Sequence, residues 1–134
     1  MTALSNKKTT KKGHLKDNHV LLEPHEKITI KFLIEQGYNI ELIPPSNIPM
    51  NKSADFLMNG IAWEMKRING HSYNSLEHIV KNATKQSGNI LLDLRFAHLD
   101  EQRTILILHK RVSNTRTIKH LKIITKAGKL LDMK

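Results

Sequence analysis

Asp55, Glu64 and Lys66 stand in a stretch whose turn chemistry brings two carboxylates and an amine together. Between them lies Asn59-Gly60, a strong two-residue turn signal, because a type I′ turn needs φ > 0 at both central positions. Folding about it pairs Met58 with Ile61, Leu57 with Ala62, Phe56 with Trp63 and Asp55 with Glu64. Side chains alternate along a strand, so Phe56, Met58, Ile61, Trp63 and Met65 share an apolar face. Asp55, Glu64 and Lys66 share the other. Like charges directly opposite each other repel, so positive charge is expected between the carboxylates. Lys66 can supply it, and a divalent cation is the stronger candidate. Mg²⁺ takes carboxylate oxygens, water and substrate phosphate. Such an ion activates water and stabilises charge on a phosphoryl group, and Lys66 can assist the nucleophile or the transition state. A solvated polar strand face with an ordinary ion pair satisfies the same pattern. A register slip of one residue would part the carboxylates, and the residues alone leave both readings open.

The elements that must hold this hairpin are legible on either side. A helix is expected from Pro24 to about Gln36, with proline at its first position and Gly37 as its stop. Ile28, Phe32 and Glu35 fall on one line of it, with Ile30, Leu33 and Ile34 broadening the apolar side. Glu26 sits in the first turn, where the helix dipole favours a carboxylate whatever its function. Tyr38–Ile43 alternates as a short strand, and Pro44–Pro49 is expected to be a stiff, extended loop. After the hairpin, Asn69-Gly70-His71 breaks the strand. Ser75 is read as the N-cap of a second helix, whose stripe is Leu76, Ile79, Val80 and Ala83 and whose stop is Gly88. Ile90–Leu94 then reads as a central strand covered on both faces. Strand, helix, strand implies a right-handed crossover and a parallel pair. Asp100 to about Val112 fits a helix, but Ile105–Leu108 equally fits a buried strand. Leu121–Thr125 and Lys129–Met133 read as a final hairpin. The fold class expected is therefore α/β (α+β), a central mixed sheet flanked by helices.

The chain has 134 residues, enough for one domain. Residues 1–18 read as a lysine-rich flexible tail or linker, open to phosphate contact, and residues 19–134 as a single domain. Lys and Arg exceed Asp and Glu by 22 to 12, for a net charge of +10, which points to a polyanionic partner, nucleic acid first. No stretch approaches the roughly 20 apolar residues of a membrane span, no membrane anchor is expected, and the polar N-terminus lacks the apolar core of a signal peptide. With no cysteine, disulfides and thiolate metal sites are excluded.

Other candidate chemistry is thinner. The eight histidines lack the spacing of a local zinc motif. No glycine-rich phosphate loop or nucleophile elbow is present. Lys85 and Gln86, with Ser87, close the second helix and are candidates for phosphate contact. Lys110, Arg111, Arg116, Lys119, His120 and Lys122 form the densest basic cluster; a phosphate-tracking groove and a solvated face fit it equally. Few aromatics argue against a platform reading several bases.

Leu42–Asn47, Ser53-Ala54-Asp55-Phe56-Leu57, Gly60, Trp63-Glu64-Met65-Lys66 and Lys85–Ile90 through Asp93-Leu94 closely resemble the C-terminal nuclease domains of contact-dependent growth-inhibition toxins. The resemblance spans roughly residues 20–133, its specific motifs about 42–94. It implies a PD-(D/E)xK, restriction-endonuclease-like core and a metal-dependent endonuclease, with tRNA the expected substrate and DNA the alternative. Asp55 would be the motif aspartate, Glu64 the second carboxylate and Lys66 the motif lysine. Glu26 would be the helix carboxylate completing the metal shell. Ala54 departs from the motif proline. The ion would be Mg²⁺, with Mn²⁺ or Zn²⁺ as alternatives. A cognate immunity protein would be a partner, and the bacterial cytoplasm the place of action, reached as part of a larger secreted toxin. A non-catalytic nucleic-acid-binding module, a protein-interaction partner and a metal-independent RNase using His and Lys are the rival readings.

Overall fold

The computed structural model describes residues 11–45 and 54–134. Its elements run β1 (Leu15–Lys16), α1 (Pro24–Glu35), β2 (Ile40–Leu42), β3 (Phe56–Met58), β4 (Ile61–Arg67), α2 (Tyr73–Ala83), β5 (Asn89–Asp93), α3 (Glu101–Ser113), β6 (His120–Ile124) and β7 (Leu130–Asp132). The seven strands lie side by side in chain order. β2, β3 and β4 are antiparallel neighbours, β4, β5 and β6 are parallel, and β1 and β7 close the edges, parallel and antiparallel respectively. The mixed α/β sheet and the parallel β4–β5 pair joined through α2 are as expected.

The hairpin folds in the expected register, with Phe56, Leu57 and Met58 opposite Trp63, Ala62 and Ile61. Asn59 and Gly60 have φ of 48° and 85°, the two positive values a type I′ turn demands. One face of the sheet packs Phe56, Met58, Trp63, Met65 and Leu91 against Ile30, Phe32 and Leu33 of α1. The other packs Ile90, Leu92, Leu121 and Ile123 against Leu76 and Val80 of α2 and Leu108 and Val112 of α3. β5 is thus covered on both sides, which is why Ile90-Leu91-Leu92 carries no alternation.

Several boundaries differ from expectation for physical reasons. α1 buries Thr29, Ile30, Phe32 and Leu33, while Ile28 is 45% exposed and Glu35 faces solvent, so the inward stripe is rotated from the Ile28–Phe32–Glu35 line. α2 begins one turn early. Its N-cap is Ser72, whose side chain accepts from the Ser75 amide, and Ser75 lies inside the helix. The extra turn carries Tyr73, whose hydroxyl accepts from the Asp100 amide at 3.2 Å and whose ring lies under Arg103. The helix stops at Ala83, short of Gly88. Residues 100–113 resolve as a helix because Asp100 caps it and Thr104, Leu108 and Val112 form one buried stripe.

The basic segment before residue 19 is not wholly a solvated tail. Leu15 and Lys16 pair with Ile40 and Glu41, and the Gly13 amide donates to the Ile34 carbonyl at 2.8 Å. A Cβ on Gly13 would lie 1.7 Å from the Tyr38 carbonyl oxygen, so only glycine lets the chain approach there. Lys7, Lys8 and the 46–49 part of the proline loop lie outside the described residues.

Candidate active site

β4 carries the core of the site. Trp63 and Met65 point into the α1 core, and the intervening Glu64 and Lys66 take the opposite face. Glu64 is 3% exposed, and its Oε2 lies 3.2 Å from the Lys66 Nζ. Its Oε1 is buried without a hydrogen-bond partner among the described residues. Burial, reinforced by the negative charge of Asp55, pushes the Glu64 carboxyl from 4.5 to about 7, against the pull of Lys66. A buried carboxylate with one unsatisfied oxygen beside a second carboxylate is an arrangement that a proton or a cation completes.

Asp55 is not square opposite Glu64 on the strand ladder, as the hairpin register had implied. The ladder ends at Phe56, and Asp55 occupies a bend. Its amide donates to the Trp63 carbonyl at 3.0 Å, one step out of register, and its carbonyl accepts from the Ile43 amide. The carboxylate turns back over β4 and accepts the Met65 amide through Oδ2 at 2.9 Å. The offset is that of a β-bulge, a device that re-aims a side chain. The two carboxylates still meet, since Asp55 is a cause of the raised Glu64 value.

Beside them lies a cavity of about 220 Å³. Asp55, Met65, Lys66 and Arg67 line its strand side, and His25, Glu26 and Thr29 its helix side. Glu26 is thus brought to the site, but its Oε1 accepts the Glu23 amide at 2.8 Å, capping α1. Among the described residues, no three His, Cys, Asp or Glu gather closely enough to hold a metal ion. The metal shell expected of Asp55, Glu64 and Glu26 together is therefore reduced to the Asp55–Glu64 pair. That pair still fits Mg²⁺, which uses one or two carboxylates and leaves its other positions to water and phosphate. The closed four-ligand geometry of structural Zn²⁺ has no counterpart here.

The expected nucleic-acid contacts fall elsewhere. Lys85 and Gln86 lie in the turn after α2, beside Ser87 and Asn89, whose side chains both donate to the Ala62 carbonyl. The Lys119 amide donates to the Gly88 carbonyl at 2.7 Å. Lys85, Gln86, Arg116 and Lys119 lie in the segments that lead into β5 and β6, whereas the cavity is lined by the last residues of β4. Arg111 is bound to Glu77 at 2.7 Å across α2 and α3, with both side chains partly exposed.

Sequence reasoning missed the network that meets the cavity through Thr29 and is built from long-range contacts. Asp93, fully buried at the end of β5, accepts from Thr29 Oγ1 at 2.7 Å and from Arg95 Nε and Nη2 at 3.0 and 2.7 Å. Burial alone would raise the Asp93 carboxyl, but the hydrogen bonds from Arg95 and Thr29 outweigh it and hold the group below its ordinary range. Arg95 lies 4.9 Å over the Phe32 ring, so this pair ties α1 to the sheet directly behind the cavity. The only signal in the sequence was the Asp93-x-Arg95 spacing at the end of an apolar strand.

No curated protein matches the chain significantly. A chain of the CdiA-CT/CdiI toxin and immunity complex from Burkholderia pseudomallei shares the fold, with TM-score 0.70 at 16% identity over 91% of this chain and 99% of that one. The family profile of the contact-dependent growth inhibition CdiA C-terminal domain matches residues 52–130, more than half of the chain and all of the Asp55–Lys66 hairpin. The chain therefore belongs to the CdiA C-terminal domain family and is a toxin domain of contact-dependent growth inhibition.

Proposed function

We propose that this toxin domain is a metal-dependent endonuclease that hydrolyses phosphodiester bonds in RNA, with tRNA as its substrate class. The observation that carries the reading is Glu64: a buried carboxylate with an unpartnered oxygen, set against Asp55 and 3.2 Å from a half-exposed lysine. A purely structural residue in that position would be expected to have both oxygens satisfied. An aspartate just before one strand, a turn, and glutamate-x-lysine on the next strand is also the order of a PD-(D/E)xK core. The preference for tRNA over DNA rests on the likeness of the Asp55–Lys66 and Lys85–Leu94 blocks to tRNase toxin domains.

Asp55 and Glu64 would hold the ion, Mg²⁺ first among the candidates. When bound, it lowers the pKa of a coordinated water and neutralises charge on the scissile phosphate. The protein's own residues do the remainder. The Met65 amide fixes Oδ2 of Asp55, a residue that lines the cavity. Lys66 neutralises Glu64 and, with a side chain 38% exposed, reaches the cavity to orient water or to stabilise charge on the phosphate. The +10 net charge brings the polyanion in. The immunity-protein partner is supported by the structural neighbour, itself a toxin and immunity complex, and the place of action would be the bacterial cytoplasm.

Induced expression in the bacterial cytoplasm tests this reading. Growth arrest accompanied by tRNA fragments, both absent with Asp55→Ala, is expected. Arrest with intact tRNA and degraded DNA would move the substrate to DNA. Arrest by wild type and Asp55→Ala alike, with all nucleic acid intact, would remove the nuclease reading.

A further inference from the structure

We infer that Arg67 and Phe96 form a binding site for an unpaired stretch of RNA next to the carboxylate centre, the guanidinium taking a phosphate and the ring stacking a base. The inference rests on the endonuclease reading for its place in function, and on independent geometry for its existence.

Arg67 is the last residue of β4 and lines the same cavity as Asp55 and Lys66. Among the described residues it makes no ion pair, whereas the neighbouring Arg95 is fully engaged by Asp93. Phe96 is a partly exposed aromatic outside both hydrophobic clusters. It lies 5.8 Å from the guanidinium carbon of Arg67 and 5.8 Å from that of Arg95. The two arginines therefore differ in role. Arg95, fastened to Asp93 and stacked on Phe32, holds its guanidinium over the Phe96 ring as well. Arg67 also lies over the ring, but among the described residues its charge has no ion-pair partner.

The surroundings favour a nucleic-acid strand. Loops following β4 and β5 build the surface, at the C-terminal ends of parallel strands where open α/β sheets place their ligands. The His98 amide joins the two loops by donating to the Gly70 carbonyl at 3.1 Å. Exposed His71 and His98 stack on each other there, with centroids 4.7 Å apart, adding a second flat surface. Over residues 68–72 and 94–100 the one carboxylate is Asp100, which caps α3. An aromatic ring beside a free guanidinium suits bases splayed out of a stack, whereas the bases of an RNA duplex offer no open face and side chains cannot read its deep major groove.

The test is fluorescence anisotropy in EDTA, with a short unstructured RNA oligonucleotide and with the same RNA annealed to its complement. Phe96→Leu keeps apolar bulk but loses the aromatic face, and is expected to weaken single-strand binding roughly five- to 100-fold. Phe96→Trp should restore it. Arg67→Ala should weaken binding and reduce the slope of log affinity against log salt by about 0.7, one phosphate contact on a single strand. Lys81→Ala, which removes a charge from the exposed side of α2, serves as the control and should bind as wild type. Unchanged affinity in both Phe96→Leu and Arg67→Ala, or equal losses on duplex and single strand, would overturn the inference. Cleavage followed in parallel with Mg²⁺ keeps the two readings apart. Single-strand binding sensitive to both variants but without any cleavage would sink the endonuclease and leave this site standing. Cleavage that survives both variants undiminished would do the reverse.

Discussion

Replacing Glu64 by glutamine should abolish a pH dependence of stability that the wild type carries. Burial and the charge of Asp55 raise the Glu64 carboxyl in the folded protein from 4.5 to about 7. Between those values the folded state holds a proton that the unfolded chain has released. Stability from this group is therefore complete below about 4.5 and is lost as pH rises through about 7. The difference of about 2.5 pH units, at about 1.4 kcal/mol each, amounts to about 3 kcal/mol. Glutamine is close to isosteric with the protonated acid and does not titrate. In urea denaturation with EDTA present, Glu64→Gln should match wild type within about 1 kcal/mol at the acid end of this window, allowing for the altered contact with Lys66. It should exceed wild type by about 3 kcal/mol more at pH 8. Groups remote from Glu64 are common to both proteins and cancel in the comparison. A difference that stays flat from pH 4.5 to 8 would refute the claim that Glu64 is a strained, buried carboxylate.

Other expectations follow from the same contacts. Asp93→Asn leaves the Arg95 charge without its partner and should cost about 3 kcal/mol of unfolding free energy, at the low end for a broken buried pair because Arg95 is 21% exposed. Because the Asp93 carboxyl is held low, wild type should also lose stability as pH falls through its ordinary range and below, a loss that thermal melts should find blunted in the variant. Gly60→Ala meets no neighbour within 4 Å but must adopt φ of 85°, so it should destabilise by about 1–2 kcal/mol from backbone strain alone. Lys66→Met should reduce RNA cleavage about 10²- to 10³-fold while far-ultraviolet circular dichroism stays unchanged.

Apart from β1 and α3, the order and type of the main elements could be read from local chemistry. Asn59-Gly60 specifies a type I′ turn and hence the register of the hairpin, and Pro24 and Gly37 bracket α1. The pairing of Glu64 with Lys66 follows from alternation along one strand. What local rules could not supply is set by contacts distant in the chain. In the first turn of α2, which Ser72 caps, Tyr73 reaches Asp100, 27 residues away. Asp55 leaves the ladder and turns its carboxylate onto the Met65 amide, which no pattern of alternation foretells. Thr29, Asp93 and Arg95 meet only once α1 lies across the sheet, 64 residues separating the first two. Arg67 escaped notice because alternation puts it on the opposite face from Lys66, and only the fold brings Phe96 beside it. Nor does charge density reveal pairing: Arg111, in the densest basic run, meets Glu77, 34 residues away.

The central claim is that the Asp55–Glu64–Lys66 constellation cuts RNA with a bound divalent ion. Its most direct test is single-turnover cleavage of end-labelled bacterial tRNA by the purified protein, comparing wild type with Asp55→Asn, each in Mg²⁺ and in EDTA. Wild type should cut discretely in Mg²⁺ and not in EDTA, and Asp55→Asn should cut in neither. Cleavage by wild type that persists in EDTA, or that Asp55→Asn retains at the wild-type rate, would contradict it.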